Sequence, residues 1–345
     1  MSAPTKTVEK RTVEEPAGTP LVRRLLAANG AWTFAILLAL VAFFSIMAPD
    51  TFLTQYDITQ IATNAAIYLV LGVGMTYVII TGGIDLSNGS VLILSGVLAA
   101  EFMAHHGGYK AGWPVILVGI LIAVATGTVW GFLQGVLVAK AKVPPLIVTL
   151  GGLGGALGLA QIITTGNDVA GGAPNRLVET LGLGKLFDTI PWLVIVAVAT
   201  TVVFGMALAY TRFGRYTYAV GSNAEAVRRA GIRVDRHLIK VYALGGLMAG
   251  IAGVMSLAFF HTTTIAGHGF DNLKVITAVV IGGTSLFGGR GTVIGTVIGV
   301  FIPAVLSSGL VILGVQSYWQ DVAVGAVLIA AVYVDQLRRR SRERG

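Results

Sequence analysis

The chain of 345 residues contains no cysteine. Disulfides, thiol nucleophiles and cysteine-ligated metals are excluded, and the redox compartment stays open. Charge is also scarce: Asp, Glu, Lys and Arg make up 12% of the residues, against about 25% in soluble domains. Catalytic signatures are missing too. There is no Gly-x-x-x-x-Gly-Lys-Ser/Thr loop, so the chain cannot cradle ATP in that way. The glycine-rich run Gly151–Gly158 is apolar and lacks the lysine. No His-Glu-x-x-His and no Gly-x-Ser-x-Gly occurs, which leaves a metalloprotease or serine-hydrolase reading without support. The five histidines are His105, His106, His237, His261 and His268, and neither a metal site nor a cofactor is expected. Few carboxylates fall in apolar stretches. Asp85 lies in a turn, and Glu101 and Asp321 lie toward the ends of their segments. An ion-driven carrier usually keeps a carboxylate near the membrane midplane, so that reading is weakened though still open.

What the chain has is apolar length. Hydrophobic residues make up 55% of it, and its mean hydropathy is +0.81. We read an all-α integral membrane protein with about ten spans, at 30–48, 58–80, 84–104, 113–139, 144–165, 190–210, 240–262, 273–287, 291–313 and 317–336. The eighth is short and glycine-rich. Residues 1–28 are polar, read as a largely disordered cytoplasmic tail rather than a cleavable signal. Residues 29–336 form the transmembrane domain, and 337–345 a basic cytoplasmic tail.

With both termini placed in the cytoplasm, all but four of the 24 Lys and Arg fall on the cytoplasmic side. The exceptions are Lys110, Arg176, Lys185 and Lys274. That asymmetry is what the positive-inside rule demands, and it accounts for the net charge of +8 without nucleic acid. The longest outer loop, 166–189, carries Asp168, Glu179 and Asp188 against Arg176 and Lys185; docking of an external partner and a simple connection are both open.

The longest charged interruption is 211–240. Ser222 and Glu225 are spaced as a capping box, and Gly231 suits a left-handed C′ position, so a short helix is expected over Asn223–Ala230. At about 12 Å it is too short to span a bilayer. Ala224, Val227 and Ala230 give it one small apolar face, with Glu225, Arg228 and Arg229 as a charged rim.

Glycines recur four apart at Gly127/Gly131/Gly135, Gly154/Gly158, Gly246/Gly250 and Gly291/Gly295/Gly299, spacing that allows close helix packing. Two glycine-rich hairpins, Thr81–Ser90 and Gly282–Thr292, resemble each other loosely. Their structural residues are Gly82, Gly83, Asp85, Ser87, Gly282, Gly283, Gly288 and Gly289, with Asp85 or Ser87 expected to cap the third span. Such paired breaks often mark a transport pathway. Asn64, Thr76, Gln134, Thr149, Gln161 and Thr277 are neutral polar groups within spans, suited to hydrogen-bond a polyol or, equally, a neighbouring helix.

Ile80-Thr-Gly-Gly-Ile-Asp-Leu-Ser87, Pro144-Pro-Leu-Ile-Val-Thr-Leu-Gly151, Gly221-Ser-Asn-Ala-Glu-Ala226, Ala230-Gly-Ile-Arg-Val-Asp235, Gly282-Gly-Thr-Ser-Leu-Phe-Gly-Gly-Arg-Gly291 and Tyr318-Trp-Gln320 together resemble the permease subunits of ribose/xylose/arabinose-type bacterial ABC importers. The resemblance covers about residues 30–336. It implies a multi-pass protein of the bacterial cytoplasmic (inner) membrane that passes a simple sugar or polyol. It also implies an ABC ATPase, a second permease (a copy or a paralogue) and an extracytoplasmic solute-binding protein. Carried over, Gly221, Ser222, Glu225, Arg228, Arg229, Ala230 and Gly231 belong to the element that couples to the ATPase. Asn88, Lys274 and the run Gly151–Gly155 depart from the usual pattern, which bears on the choice of solute. An ion-coupled secondary carrier and, less favoured, an intramembrane enzyme are the alternatives.

Overall fold

The long apolar runs become long helices because a backbone in hydrocarbon must satisfy its own hydrogen bonds. The computed structural model describes residues 29–316, apart from 266, 269 and 270, and part of 318–336. Its helices are α1 (Asn29–Met47), α2 (Gln55–Ile80), α3 (Asn88–His105), α4 (Trp113–Ala139), α5 (Pro145–Thr164), α6 (Trp192–Tyr210), α7 (Arg212–Arg229), α8 (Val234–Phe260), α9 (Asp271–Ile281) and α10 (Val293–Ile312). Every described residue between 318 and 336 is helical. Seven of these helices, α2–α6, α8 and α10, are long and apolar enough to cross a membrane. The expected tails 1–28 and 337–345 lie outside the described residues.

Seven of the expected spans coincide with helices to within a few residues, the span 317–336 is only partly described, and the two that differ are instructive. The expected span 273–287 is only the 11-residue α9, about 16 Å long against a hydrocarbon core of about 30 Å. It is a half-length helix, because Gly282 and Gly283 end it early. At the other end, α8 starts at Val234 rather than 240, since charged residues are no obstacle to a helix beyond the apolar region.

α2 is the hub. It packs against α6, α8, α9 and α10, and 89% of its apolar window is buried, against 17–28% for α4, α5 and α6. Its start is fixed by Thr54, whose hydroxyl accepts from the Asp57 N–H at 3.2 Å. α4 and α8 make the most intimate pair. The two glycine stripes meet face to face: a Cβ on Gly127 would stand 2.2 Å from the Gly246 carbonyl, and one on Gly131 2.2 Å from the Tyr242 carbonyl. Gly295 likewise sits against Gly282, just past α9, and Gly299 against Ala278 of α9. The Gly154/Gly158 pair behaves differently. Together with Gly151 it faces open space, with no atom within 4 Å of the place a methyl group would take.

The loop 166–189 folds back on its own chain at Asp168. That carboxylate accepts from the Thr263 hydroxyl (3.2 Å) and the Ile265 N–H (3.3 Å) and so holds the α8–α9 connection. Beyond it the loop ends in a small hairpin, Lys185–Leu186 paired with Ile190–Pro191.

Candidate functional site

Both glycine-rich hairpins end a helix in the same way. After α2, the Gly82 N–H bonds the Ile79 carbonyl and the Gly83 N–H bonds the Val78 carbonyl; after α9, Gly283 bonds Val280 and Thr284 bonds Val279. Gly82 (φ 81°) and Gly283 (φ 94°) hold the left-handed position these turns require. The loose resemblance read in the sequence is thus a shared backbone motif.

The two hairpins meet each other and α7. The Gly289 N–H donates to the Ile80 carbonyl at 2.8 Å. Gly221 of α7 lies flat on that bond: a Cβ there would be 1.7 Å from the Ile80 oxygen and 2.6 Å from the Gly289 nitrogen. A Cβ on Gly288 would stand 2.8 Å from the Gly221 carbonyl and 3.1 Å from the Gly82 nitrogen. The Tyr218 hydroxyl adds a bond to the Gly291 carbonyl, 2.7 Å. Burial pushes the Tyr218 phenol above its ordinary range, so it remains a donor at physiological pH.

α7 reaches this junction because its first half is a real amphipathic helix, which was not anticipated. The Thr211 hydroxyl caps it by accepting from the Gly214 N–H, 3.3 Å. Gly214, Thr217 and Val220 bury one face. Thr217 is hydrogen-bonded with the His237 ring (3.0 Å), and the Phe213 ring packs on Tyr77 and His237, with centroids 5.6 and 4.9 Å away.

The helix then breaks at Asn223 (φ −161°, ψ 92°). This corrects the expected capping box. Ser222 is still inside the first half, where its hydroxyl returns to the Tyr218 carbonyl at 2.9 Å. Asn223 is the cap instead, its Oδ1 accepting from the Ala226 N–H at 2.9 Å. Glu225 does not reach back; it pairs with Arg228 (3.1 Å) and Arg229 (3.3 Å). The C-terminal stop is as expected: Gly231 has φ 81°, its N–H bonds the Arg228 carbonyl, and the Ile232 N–H bonds the Val227 carbonyl.

The small apolar face is corrected as well. Val227 is buried with Val220 and Val234, and Ala224 packs on that cluster, so most of this face is turned toward the chain itself. What faces outward is Ser222, Asn223, Glu225, Ala226, Arg228, Arg229 and Ala230. Arg228 also reaches Asp235 (3.6 Å), which Lys142 of the α4–α5 connection pairs at 2.9 Å. These pairs are exposed and worth well under about 1 kcal/mol each.

Neither Asp85 nor Ser87 caps α3 by its side chain. Asp85 Oδ1 accepts from the Ser87 N–H (2.8 Å) and hydroxyl (2.6 Å), because the acid sits two residues before the serine and closes its own turn. Ser87 in turn is bonded with Gln134 of α4 at 2.8 Å. Among the other neutral polar residues, Thr76 bonds Thr296 of α10 (2.6 Å), Thr149 donates to the Ile84 carbonyl (3.0 Å), and Thr277 donates to Leu273 of its own helix (2.7 Å). All four are buried, and Gln134, Thr76 and Thr149 tie separate segments together. Asn64 and Gln161 are exposed, and they lie on different helices. The six do not converge on one cavity.

A second polar group was missed by the sequence. Lys274, counted with the outer loops, lies instead in the first turn of α9. There Asp271 takes the Tyr68 hydroxyl (3.1 Å), the His268 ring and, at 4.0 Å, the Lys274 ammonium. His268 is also bonded with Ser256, 2.7 Å. Ser256, His268, Asp271 and Lys274 come from α8, α9 and their connection, and Tyr68 of α2 joins them from 203 residues away.

Comparison with known proteins gives one consistent answer. The family model described as branched-chain amino acid transport system / permease component matches residues 57–332. The ribose import permease of Bacillus subtilis is 39% identical over 88% of this chain and 91% of its own length. The ribose import permease of Escherichia coli is 37% identical over 88% and 92%. The fructose import permease of Rhizobium meliloti is 33% identical over 94% and 86%. No solved structure matches. With residues 57–332 covered by that model, and identity above one third across nearly the whole of the ribose permeases, the chain belongs to this permease family and is a multi-pass, non-catalytic membrane subunit of the sugar ABC importer type.

Proposed function

We propose that this permease carries a simple sugar or related polyol across the bacterial cytoplasmic membrane, received from a solute-binding protein outside and driven by an ATPase inside. The sugar class rests on relatives whose names state ribose import, fructose import and D-allose transport. The ATP drive rests on that kinship together with the missing phosphate loop. The observation that carries the mechanism is the junction: Gly221 lies on the bond that joins the hairpins after α2 and α9.

The exposed half of α7, Asn223–Arg229, is the handle the ATPase moves. The first half is the shaft, locked to Ile80, Gly289 and Gly291. A displacement of the handle therefore reaches both hairpins at once, and through them α3 and α10, which start from those hairpins. Two copies or paralogues of the permease complete the pathway. The open glycine face at Gly151, Gly154 and Gly158 suits close approach of a second helix. Ten spans with both termini in the cytoplasm put the handle, with Arg228 and Arg229, on the ATPase side.

The test is uptake of labelled ribose, fructose and allose by proteoliposomes holding this chain with its ATPase and solute-binding protein. Uptake is expected to need ATP and to survive collapse of proton and sodium gradients. Uptake by the permease alone that vanishes with an ion gradient would instead establish the secondary carrier.

A further inference from the structure

Two helices begin inside the protein rather than at its surface. α9 starts at Asp271, and Tyr68, which bonds Asp271, stands about 18 Å along α2 from the junction at Ile80. α3 starts at Asn88, after the irregular stretch 83–87. The two starts touch. A Cβ on Gly89 would stand 2.8 Å from the His268 carbonyl and 3.7 Å from the Asp271 Cβ, and the Asn272 amide donates to the Leu86 carbonyl at 2.9 Å. Irregular backbone at this depth is tolerated where it is buried in protein or lines a water-filled cavity.

At this meeting point Asn88 is 1% exposed, and neither its amide nitrogen nor its amide oxygen has a hydrogen-bond partner among the described residues. A buried amide with all its capacity unused is rare and calls for an explanation. Two turns along the same face of α3, the Ser95 hydroxyl is buried and unpartnered as well. Beside it lies a pocket with room for about one water, lined by the apolar Leu92, Ile93 and Leu257 and by Gly96, Gly253, Ser256 and Thr262–Thr264 of the α8–α9 connection. Ser256 links that pocket to His268 and Asp271.

We propose that this track, from the pocket past Ser95 to Asn88, is a solute-binding station, with Asn88 as its selecting residue. The chemistry fixes the class. An amide and a hydroxyl each offer a donor and an acceptor, which matches the hydroxyls of a neutral polyhydroxylated solute. The Asp271 carboxylate already faces the His268 ring, the Tyr68 hydroxyl and, at 4.0 Å, the Lys274 ammonium, so it is satisfied without an ion. Solute at Asn88 bonds the start of α3, which the hairpin connects to the junction, so occupancy and handle position are linked.

This inference rests on the transport reading above, and one experiment separates the two. Uptake of labelled ribose, fructose and allose is measured for the wild-type complex and for Asn88→Leu. Wild-type uptake establishes transport by itself. Leucine keeps the branched outline of asparagine, is bulkier, and removes the unpaired polar atoms, so the variant should still assemble, while uptake of the transported sugar falls at least tenfold. Unchanged uptake would overturn the station. Should the leucine variant fail to assemble, Asn88→Cys serves, because the chain has no other cysteine. Its modification by a small methanethiosulfonate during ATP turnover should slow at least fivefold in saturating sugar. A rate indifferent to sugar would overturn the proposal equally.

Discussion

Gly221→Ala should uncouple the transporter. The added methyl would lie 1.7 Å from the Ile80 oxygen and 2.6 Å from the Gly289 nitrogen, and both are backbone atoms already bonded to each other. No flexible side chain is present to give way. Either α7 lifts from the hairpins or the hairpins part. Overpacking of this kind costs about 1–3 kcal/mol, and a clash with backbone belongs at the upper end. Uptake in proteoliposomes should fall at least tenfold, and ATP hydrolysis should lose its response to the loaded binding protein. Gly231→Ala is the control. It has open space around it and carries only left-handed strain at φ 81°, about 1–2 kcal/mol, so insertion and most uptake should survive. Equal behaviour of the two variants would remove the junction's special role.

Gly246→Leu should prevent folding altogether. A Cβ at 246 meets the Gly127 carbonyl at 2.0 Å and the Gly131 nitrogen at 2.9 Å, on the helix pair with the tightest contact in the molecule. A larger side chain there drives α4 and α8 apart by several ångströms and opens the core around α2. The expected result is loss of monodisperse protein on size exclusion after detergent extraction. Gly158→Leu has the opposite expectation for the single chain, since nothing lies within 4 Å of it. That variant should extract as a folded permease, and its defect should appear only in association with the second permease. Normal folding of Gly246→Leu would contradict the packing of α4 on α8.

These contrasts show what the residues alone disclosed. Apolar length located nearly every helix, because hydrocarbon burial and backbone satisfaction act segment by segment. The glycine stripes announced close packing but not their partners, so the open face of Gly154 and Gly158 could not be told from the closed one of Gly246 and Gly250. The capping box failed by one residue. Ser222 has cap chemistry, yet the helix before it persists through Ser222, and that helix is held by tertiary contacts of Thr217, Tyr218 and Gly221 with α8 and the second hairpin. The Tyr68–Asp271–His268–Ser256 group was invisible because it joins three separate segments. The one available signal was the departure of Asn88 and Lys274 from the family pattern, and both fall at this second site.

The central claim is that handle and hairpins move as one body. The cysteine-free chain permits spin labels at two chosen sites. Labels at Ala226→Cys on the handle and Phe287→Cys on the second hairpin, both exposed positions, report that linkage by pulsed electron resonance in the assembled transporter. The account predicts one narrow distance distribution, unchanged between the nucleotide-free and ATP-trapped states. A distribution that shifts or splits when ATP is trapped would contradict it.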